Sequence, residues 1–234
     1  MITFSWDDGH PEDLRLAELF GRYGISATFY IPCSNREGLP VLNPAQIRSL
    51  RSAGFTLGSH TYTHCYLTSV PLGVAIDEIR QGKEWLQDCI GEEIEHFCYP
   101  GGKYNERIVQ AVREAGFASA RTIRGFYREE GTDPFRCPTT LQFYPHSRRT
   151  LSRNFVSGGD YRNRFPAFLK AIAKGNLGDR ITSLCSALES TQGPLHFWGH
   201  SYELGGFGGW RILEDFLRRL AHPDPIEPNL GCGQ

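Results

Sequence analysis

Two carboxylates stand side by side near the start of the chain, Asp7-Asp8-Gly9, and two imidazoles stand four apart in the run His60-Thr61-Tyr62-Thr63-His64. One Asp with two His is a donor set that suits Zn²⁺ and leaves coordination positions open for water and substrate. The other Asp then stays free to take a proton from that water. The chemistry within reach is metal-assisted hydrolysis. Each half alone has a plainer reading, since Asp-Asp-Gly after a strand is a common turn and His-x-x-x-His is often a pair of hydrogen-bonded histidines. It is their pairing that points to an ion.

Such groups must be brought together by the elements around them. Ile2 to Trp6 reads as a first strand, and Leu14, Ala17 and Phe20 recur at helical spacing after Pro11 until Gly24 ends the run. Ala27 to Ile31 reads as a second strand. Asn43-Pro44 is a cap followed by proline in the first turn, and Gly54 closes that helix before strand Phe55 to Leu57. A long helix follows over about Pro71 to Ile90, then strand Glu95 to Tyr99, a helix capped by Asn105, and strand Phe117 to Thr122. Residues 124 to 160 carry no clear period and read as proline-rich short strands joined by long loops. Helices over Phe165 to Ala173 and Ile181 to Glu189 come next, then strand Pro194 to His200 and a closing helix over Trp210 to Ala221.

Apolar runs alternating with amphipathic helices are the rhythm of βα units, so the expected class is α/β with a parallel sheet or barrel. In such barrels functional side chains gather at the C-terminal ends of strands. Asp7, Asp8, His60, His64, the Pro100-Gly101-Gly102 turn and His200 all fall just past expected strand ends. That shared position is the strongest pattern in the chain.

The motifs Ser5-Trp6-Asp7-Asp8-Gly9-His10, Ser59-His60-Thr61-Tyr62-Thr63-His64, Tyr99-Pro100-Gly101-Gly102 and Trp198-Gly199-His200 stand in an order and spacing that resembles the polysaccharide deacetylase family, the NodB-homology domain of carbohydrate esterase family 4, over about residues 1 to 220. The resemblance implies a distorted (β/α)7-type barrel forming a single catalytic domain over 1–234. It implies that Asp8, His60 and His64 bind the metal, that Asp7 is the general base and that His200 is the acid that protonates the leaving amine. Zn²⁺ is the first expectation, with Co²⁺, Ni²⁺ or Mn²⁺ admissible. Gly101 matches the position whose backbone N–H would join the metal at the oxyanion, and glycine there leaves the mouth wider than the family's usual aromatic residue. Trp198 stands where the family has an aliphatic residue beside the acyl methyl, and reads equally as a buried strand residue.

One departure matters. The third motif of the family carries an arginine two residues before the proline, aimed at the catalytic aspartate, and Cys98 stands there instead. Arg121, at the end of the following strand, is the expected replacement, because a planar guanidinium suits a two-oxygen contact with a carboxylate. Arg136 is the reserve. Glu203, three residues after His200, is placed to orient that imidazole, as catalytic histidines require. His96 reads as a core histidine, His146 as a rim or solvated one, Cys65 as small-residue packing, and Gly205 to Gly209 as a flexible rim loop.

The implied substrate is a carbohydrate or glycoconjugate bearing an N-acyl amino sugar. The alternatives are a catalytically inactive carbohydrate-binding domain, made conceivable by Cys98, or an amidohydrolase of the same fold acting on a non-sugar C–N bond. A net charge of −1, with 25 basic and 26 acidic residues, gives no footprint for nucleic acid or for an anionic membrane surface. No basic stretch leads into an apolar run at the start and no membrane span is encoded, so the chain as given reads as cytoplasmic. Seven cysteines without Cys-x-x-Cys do not form a disulfide framework. Oligomeric state, physiological metal and the particular sugar stay open.

Overall fold

In the computed structural model residues 1–128, 131–186 and 193–222 are described. The strands are β1 (Ile2–Trp6), β2 (Thr28–Ile31), β3 (Thr56–Ser59), β4 (His96–Cys98), β5 (Ser119–Arg121), β6 (Leu141–Gln142) and β7 (Leu195–Gly199). They form one parallel sheet in the order β5-β4-β3-β2-β1-β7-β6. The helices between them are α1 (Asp13–Arg22), α2 (Pro44–Ser52), α3 (Leu72–Ile90) and α4 (Glu106–Glu114), then α5 (Arg148–Ser157), α6 (Tyr161–Ala173), α7 (Leu177–Cys185) and α8 (Gly209–Ala221).

The sheet is curled into a half-barrel, and the stretch from 137 to 143 draws its edges together. Cys137 N–H donates to the Ala120 carbonyl at 2.9 Å and its own carbonyl accepts from Thr122, so this stretch begins against β5. It ends against β7, where Thr140 N–H reaches the His196 carbonyl at 2.8 Å and Phe143 N–H the Trp198 carbonyl at 2.6 Å. The seven strands and surrounding helices therefore give the distorted (β/α)7 architecture that the motifs imply.

Local chemistry explains the well-read elements. Asn43 accepts from Ala45 and Gln46 while Gln46 returns a bond to the Asn43 N–H, a capping box with proline behind it. Asn105 accepts from Ile108 to start α4. The packing that matters most for function joins β1 and β7 to the helices beneath them. Phe4 lies 5.0 Å from Phe20 and 5.7 Å from Phe216, and Phe197 lies 5.3 Å from Phe216. This edge-on aromatic cluster holds the two strands whose ends carry Asp7, Asp8 and His200.

Four expectations need correction. The region 124–160 contains α5, capped by Ser147, which shows no clear period because only Leu151 and Phe155 of its ten residues are buried. Helix α6 begins at Tyr161 rather than Phe165; Pro166 lies inside it, and the loss of one N–H there is tolerated instead of marking the start. The expected Ile181 to Glu189 helix runs from Leu177 to Cys185 behind an Asn176 cap, and residues 187–189 lie outside the described residues. The Gly205 to Gly209 run is also not a loop throughout: residues 201–207 form a 3₁₀ turn and Gly209 opens α8.

Candidate functional site

Asp7 and Asp8 directly follow β1, His60 directly follows β3, Arg121 ends β5 and His200 follows β7, so one mouth receives them all. Asp8 and the two imidazoles form a compact set. The Asp8 Oδ1 atom lies 3.5 Å from His60 Nε2 and 3.1 Å from His64 Nε2. All three side chains are buried, and one donor atom from each falls within 4.8 Å of the others.

Surrounding bonds leave the right atoms free. His60 Nδ1 lies 2.8 Å from the Cys98 carbonyl, which can only accept, so the proton sits on Nδ1 and the Nε2 lone pair faces Asp8. Tyr202 donates to Asp8 Oδ2 at 2.9 Å, whereas buried Asp8 Oδ1 has no hydrogen-bond partner among the described residues. An orphaned carboxylate oxygen facing two imidazole nitrogens fits a divalent ion. Burial and the Asp8 charge push the Tyr202 phenol up, so it stays a donor.

The turn after β1 and the loop carrying the histidines are both held under strain. Asp8 (φ 76°), Thr61 (φ 67°) and His64 (φ 56°) occupy the left-handed region that side chains avoid. Glu78 of α3 over-determines that geometry, accepting from Thr63 N–H at 2.8 Å and Thr63 Oγ1 at 2.6 Å. Arg36 ties the same carboxylate at 3.4 Å. Gly82 lets α3 approach this closely, since a Cβ there would stand 2.6 Å from the Thr61 carbonyl carbon.

Asp7 belongs to a different neighbourhood. Arg121, 1% exposed, donates through Nη2 to both Asp7 oxygens, and the same nitrogen lies 2.8 Å from Cys98 Sγ. The contact is one nitrogen across two oxygens rather than a two-nitrogen fork, because Nη1 turns to the Thr122 carbonyl at 3.3 Å. The guanidinium lies between the rings of Trp198, 4.9 Å away, and Tyr30, 5.2 Å away. Arg136 lies elsewhere, paired with Asp133 and Glu106.

His200 faces the Asp pair from β7, its Nε2 3.9 Å from Asp8 Oδ2. Glu203 accepts a hydrogen bond from its Nδ1–H at 2.8 Å, and Gln142 and His146 continue the chain behind Glu203. Burial works against the charged imidazole, but Glu203, Asp8 and Asp7 outweigh it and raise His200 to about 9. The ring is therefore a proton carrier at neutral pH. Trp198 stands edge-on to His200 at 5.6 Å, both a buried strand residue and a wall of the mouth. A groove of about 210 Å³ leads from Trp198 past Gln142 and His146 along α5.

Gly101 follows β4 with φ 58°, but the mouth is not widened above it. A Cβ there would meet the Tyr66 ring at 2.7 Å, so Tyr66 fills the space that a side chain at 101 would take. His96 bonds to the Ser119 hydroxyl, and Cys65 is buried outside the Asp8 set. Asp13 is the group sequence reasoning overlooked most plainly. It is wholly buried, and burial, with the Asp7 and Asp8 charges adding to it, pushes its carboxyl well above the usual range despite Ser201. Its signal was an acid on the Leu16, Ala17 and Phe20 stripe of α1. Tyr202 and Tyr66 had no such signal.

A family profile described as polysaccharide deacetylase matches residues 1–120. The protein YxkH of Bacillus subtilis (strain 168), named for the polysaccharide deacetylases, is 25% identical over 173 residues, which are 74% of this chain and 56% of that protein. The chain thus spans just over half the length of that relative. Among solved structures, the chitin deacetylase of Colletotrichum lindemuthianum matches with TM-score 0.62 and 16% identity, over 97% of this chain and 89% of that one. A family 4 carbohydrate esterase from Streptomyces lividans, in complex with acetate, matches with TM-score 0.58 and 14% identity, over 94% and 88%. At these identities the likeness is one of fold.

Proposed function

We propose, starting from the fact that this chain belongs to the polysaccharide deacetylase family, that it hydrolyses the N-acyl bond, N-acetyl in the first instance, of an amino sugar in a glycan or glycan precursor. Asp8, His60 and His64 hold a divalent ion, Zn²⁺ first. When bound, that ion supplies Lewis acidity toward the amide carbonyl and lowers the pKa of a water beside it.

The chain's own residues do the rest. Asp7, aimed by Arg121, takes a proton from the attacking water. The Gly101 backbone N–H is assigned to the oxyanion. His200, protonated at Nε2 and steadied by Glu203, gives its proton to the departing amine. Trp198 and Tyr66 wall the mouth and shield these transfers from bulk water. The single observation that carries this reading is the division of the Asp pair: among the described residues Asp8 Oδ1 is left without a hydrogen-bond partner before two imidazole nitrogens, while Asp7 is engaged by a guanidinium on the other side.

The test is to strip the protein with a chelator, restore Zn²⁺ or Co²⁺, and measure carboxylate release from N-acetylated chitooligosaccharides. One bound ion per chain and metal-dependent acetate release are expected. An ion-free protein that still binds the oligosaccharide without cleaving it would establish the inactive binding domain instead.

A further inference from the structure

We propose that the surface formed by α5 and α6 docks on an anionic lipid bilayer. Two independent features meet there. Over residues 143–186 the chain carries eight basic residues against two acidic ones, although the whole chain is nearly balanced at 25 against 26. Arg148, Arg149, Arg153 and Arg162 of that set are exposed on α5 and α6. Among the described residues none of these four has a carboxylate within ion-pair distance.

The same surface carries an apolar ridge. Tyr161, Phe165 and Leu169 recur every four residues on α6 and are 52%, 49% and 46% exposed. That spacing puts them on one stripe, opposite Ala167 and Ala171, which face the core. Val156 of α5, 62% exposed, joins the ridge where its carbonyl accepts the Tyr161 hydroxyl at 3.0 Å. Buried Arg164 fixes the two helices together, donating to the Asn154 and Phe155 carbonyls at the end of α5 and to Gly125.

Exposed aromatic and aliphatic side chains flanked by arginines are the pattern of an interfacial helix, with the ridge entering the headgroup boundary and the cations meeting anionic lipid. Charge complementarity singles out that occupant. A second copy of the chain would set one basic face against another, and a polyanion such as nucleic acid would leave the ridge uncovered. The groove from Trp198 runs along Leu151, Asn154 and Ser157 of α5, so docking on this face would set it beside molecules displayed from the bilayer.

Flotation of the full chain with phosphatidylcholine vesicles, with and without phosphatidylglycerol, tests this at low and high ionic strength. Binding that requires phosphatidylglycerol and weakens with salt is expected. Each of Arg149→Gln and Arg153→Gln should weaken partitioning roughly fivefold, and Phe165→Ser with Leu169→Ser should abolish it while thermal unfolding stays two-state. Absence of binding to anionic vesicles, or binding that the arginine variants leave unchanged, overturns the proposal. Light scattering provides the remaining arm: a solution dimer that Phe165→Ser and Leu169→Ser dissociate, without vesicle binding, would assign the ridge to self-association and also overturn it.

Discussion

Asp7 and Asp8 are adjacent in the chain, yet they sit in two different chemical rooms. Asp8 turns toward two imidazoles and a phenol, with one oxygen satisfied by Tyr202 and the other without a hydrogen-bond partner among the described residues. Asp7 turns toward a buried guanidinium that covers both its oxygens. The left-handed conformation of Asp8 helps to set them apart, because it turns the chain sharply just past the end of β1. Two identical side chains acquire different roles from their neighbours alone, which is how carboxylate pairs in hydrolases are usually divided.

The largest expected effect breaks the division outright. Asp7→Asn should lower turnover by about 10²–10⁴, the range of a general base, with the bound ion kept. His64→Ala should lose both ion and turnover, so metal analysis beside the rate separates the two rooms. Equal metal content in both variants would show that the division is misdrawn.

Removing Arg121 tests the Asp7 side by stability. Arg121→Met leaves a buried carboxylate without its counter-charge, which costs about 3–5 kcal/mol when one partner of a buried pair is deleted. Denaturant unfolding at neutral pH should show it. A smaller effect is expected on the Asp8 side: Tyr202→Phe should weaken metal affinity about 10–100-fold, the usual cost of losing a partner behind a ligand, read by competition with a chelating dye.

The smallest effect sharpens the acid. His200 is raised to about 9 from an ordinary 6.5, so the native state keeps a proton that the unfolded chain releases earlier. The stability this proton contributes is complete below about 6.5 and fades as pH rises toward 9. Glu203→Gln should move the basic limb of the pH–rate profile down by about one unit. An ion bound at Asp8 offsets the Asp8 share of this shift, whereas the Glu203 share persists. An unmoved limb would remove Glu203 from that role.

Much of the scaffold was legible because its signals are local. Asn43 and Asn105 cap their helices through bonds spanning two or three residues, and β1, β3 and β7 are apolar runs that end in chemistry. What escaped reading lacks a local signal. Strand β6 is two residues long and exists only because β7 offers it an edge. The ring of Tyr66 over Gly101 reverses an expectation of a wider mouth, and neither residue carries a mark of the other in sequence. Glu78 could not be assigned to the histidine loop from its place in α3, since the loop lies before that helix and folds back against it.

The sequence by itself picked out the candidate ligand set of Asp8, His60 and His64, because the two histidines share one short loop and Asp8 follows a strand in the same sheet. It also showed that the arginine expected before Pro100 is absent and that Arg121 was available to replace it. Only the tertiary structure decided whether Arg121 could reach. In the sheet order β5 lies four strands from β1, a span of about 19 Å if the sheet were flat, at about 4.8 Å per strand. Curling of the sheet, held by the stretch 137–143 between β5 and β7, brings the guanidinium across the mouth to Asp7. Contacts that close over short loops are written in residue spacing, whereas a contact across a barrel depends on the sum of every strand's twist between its ends.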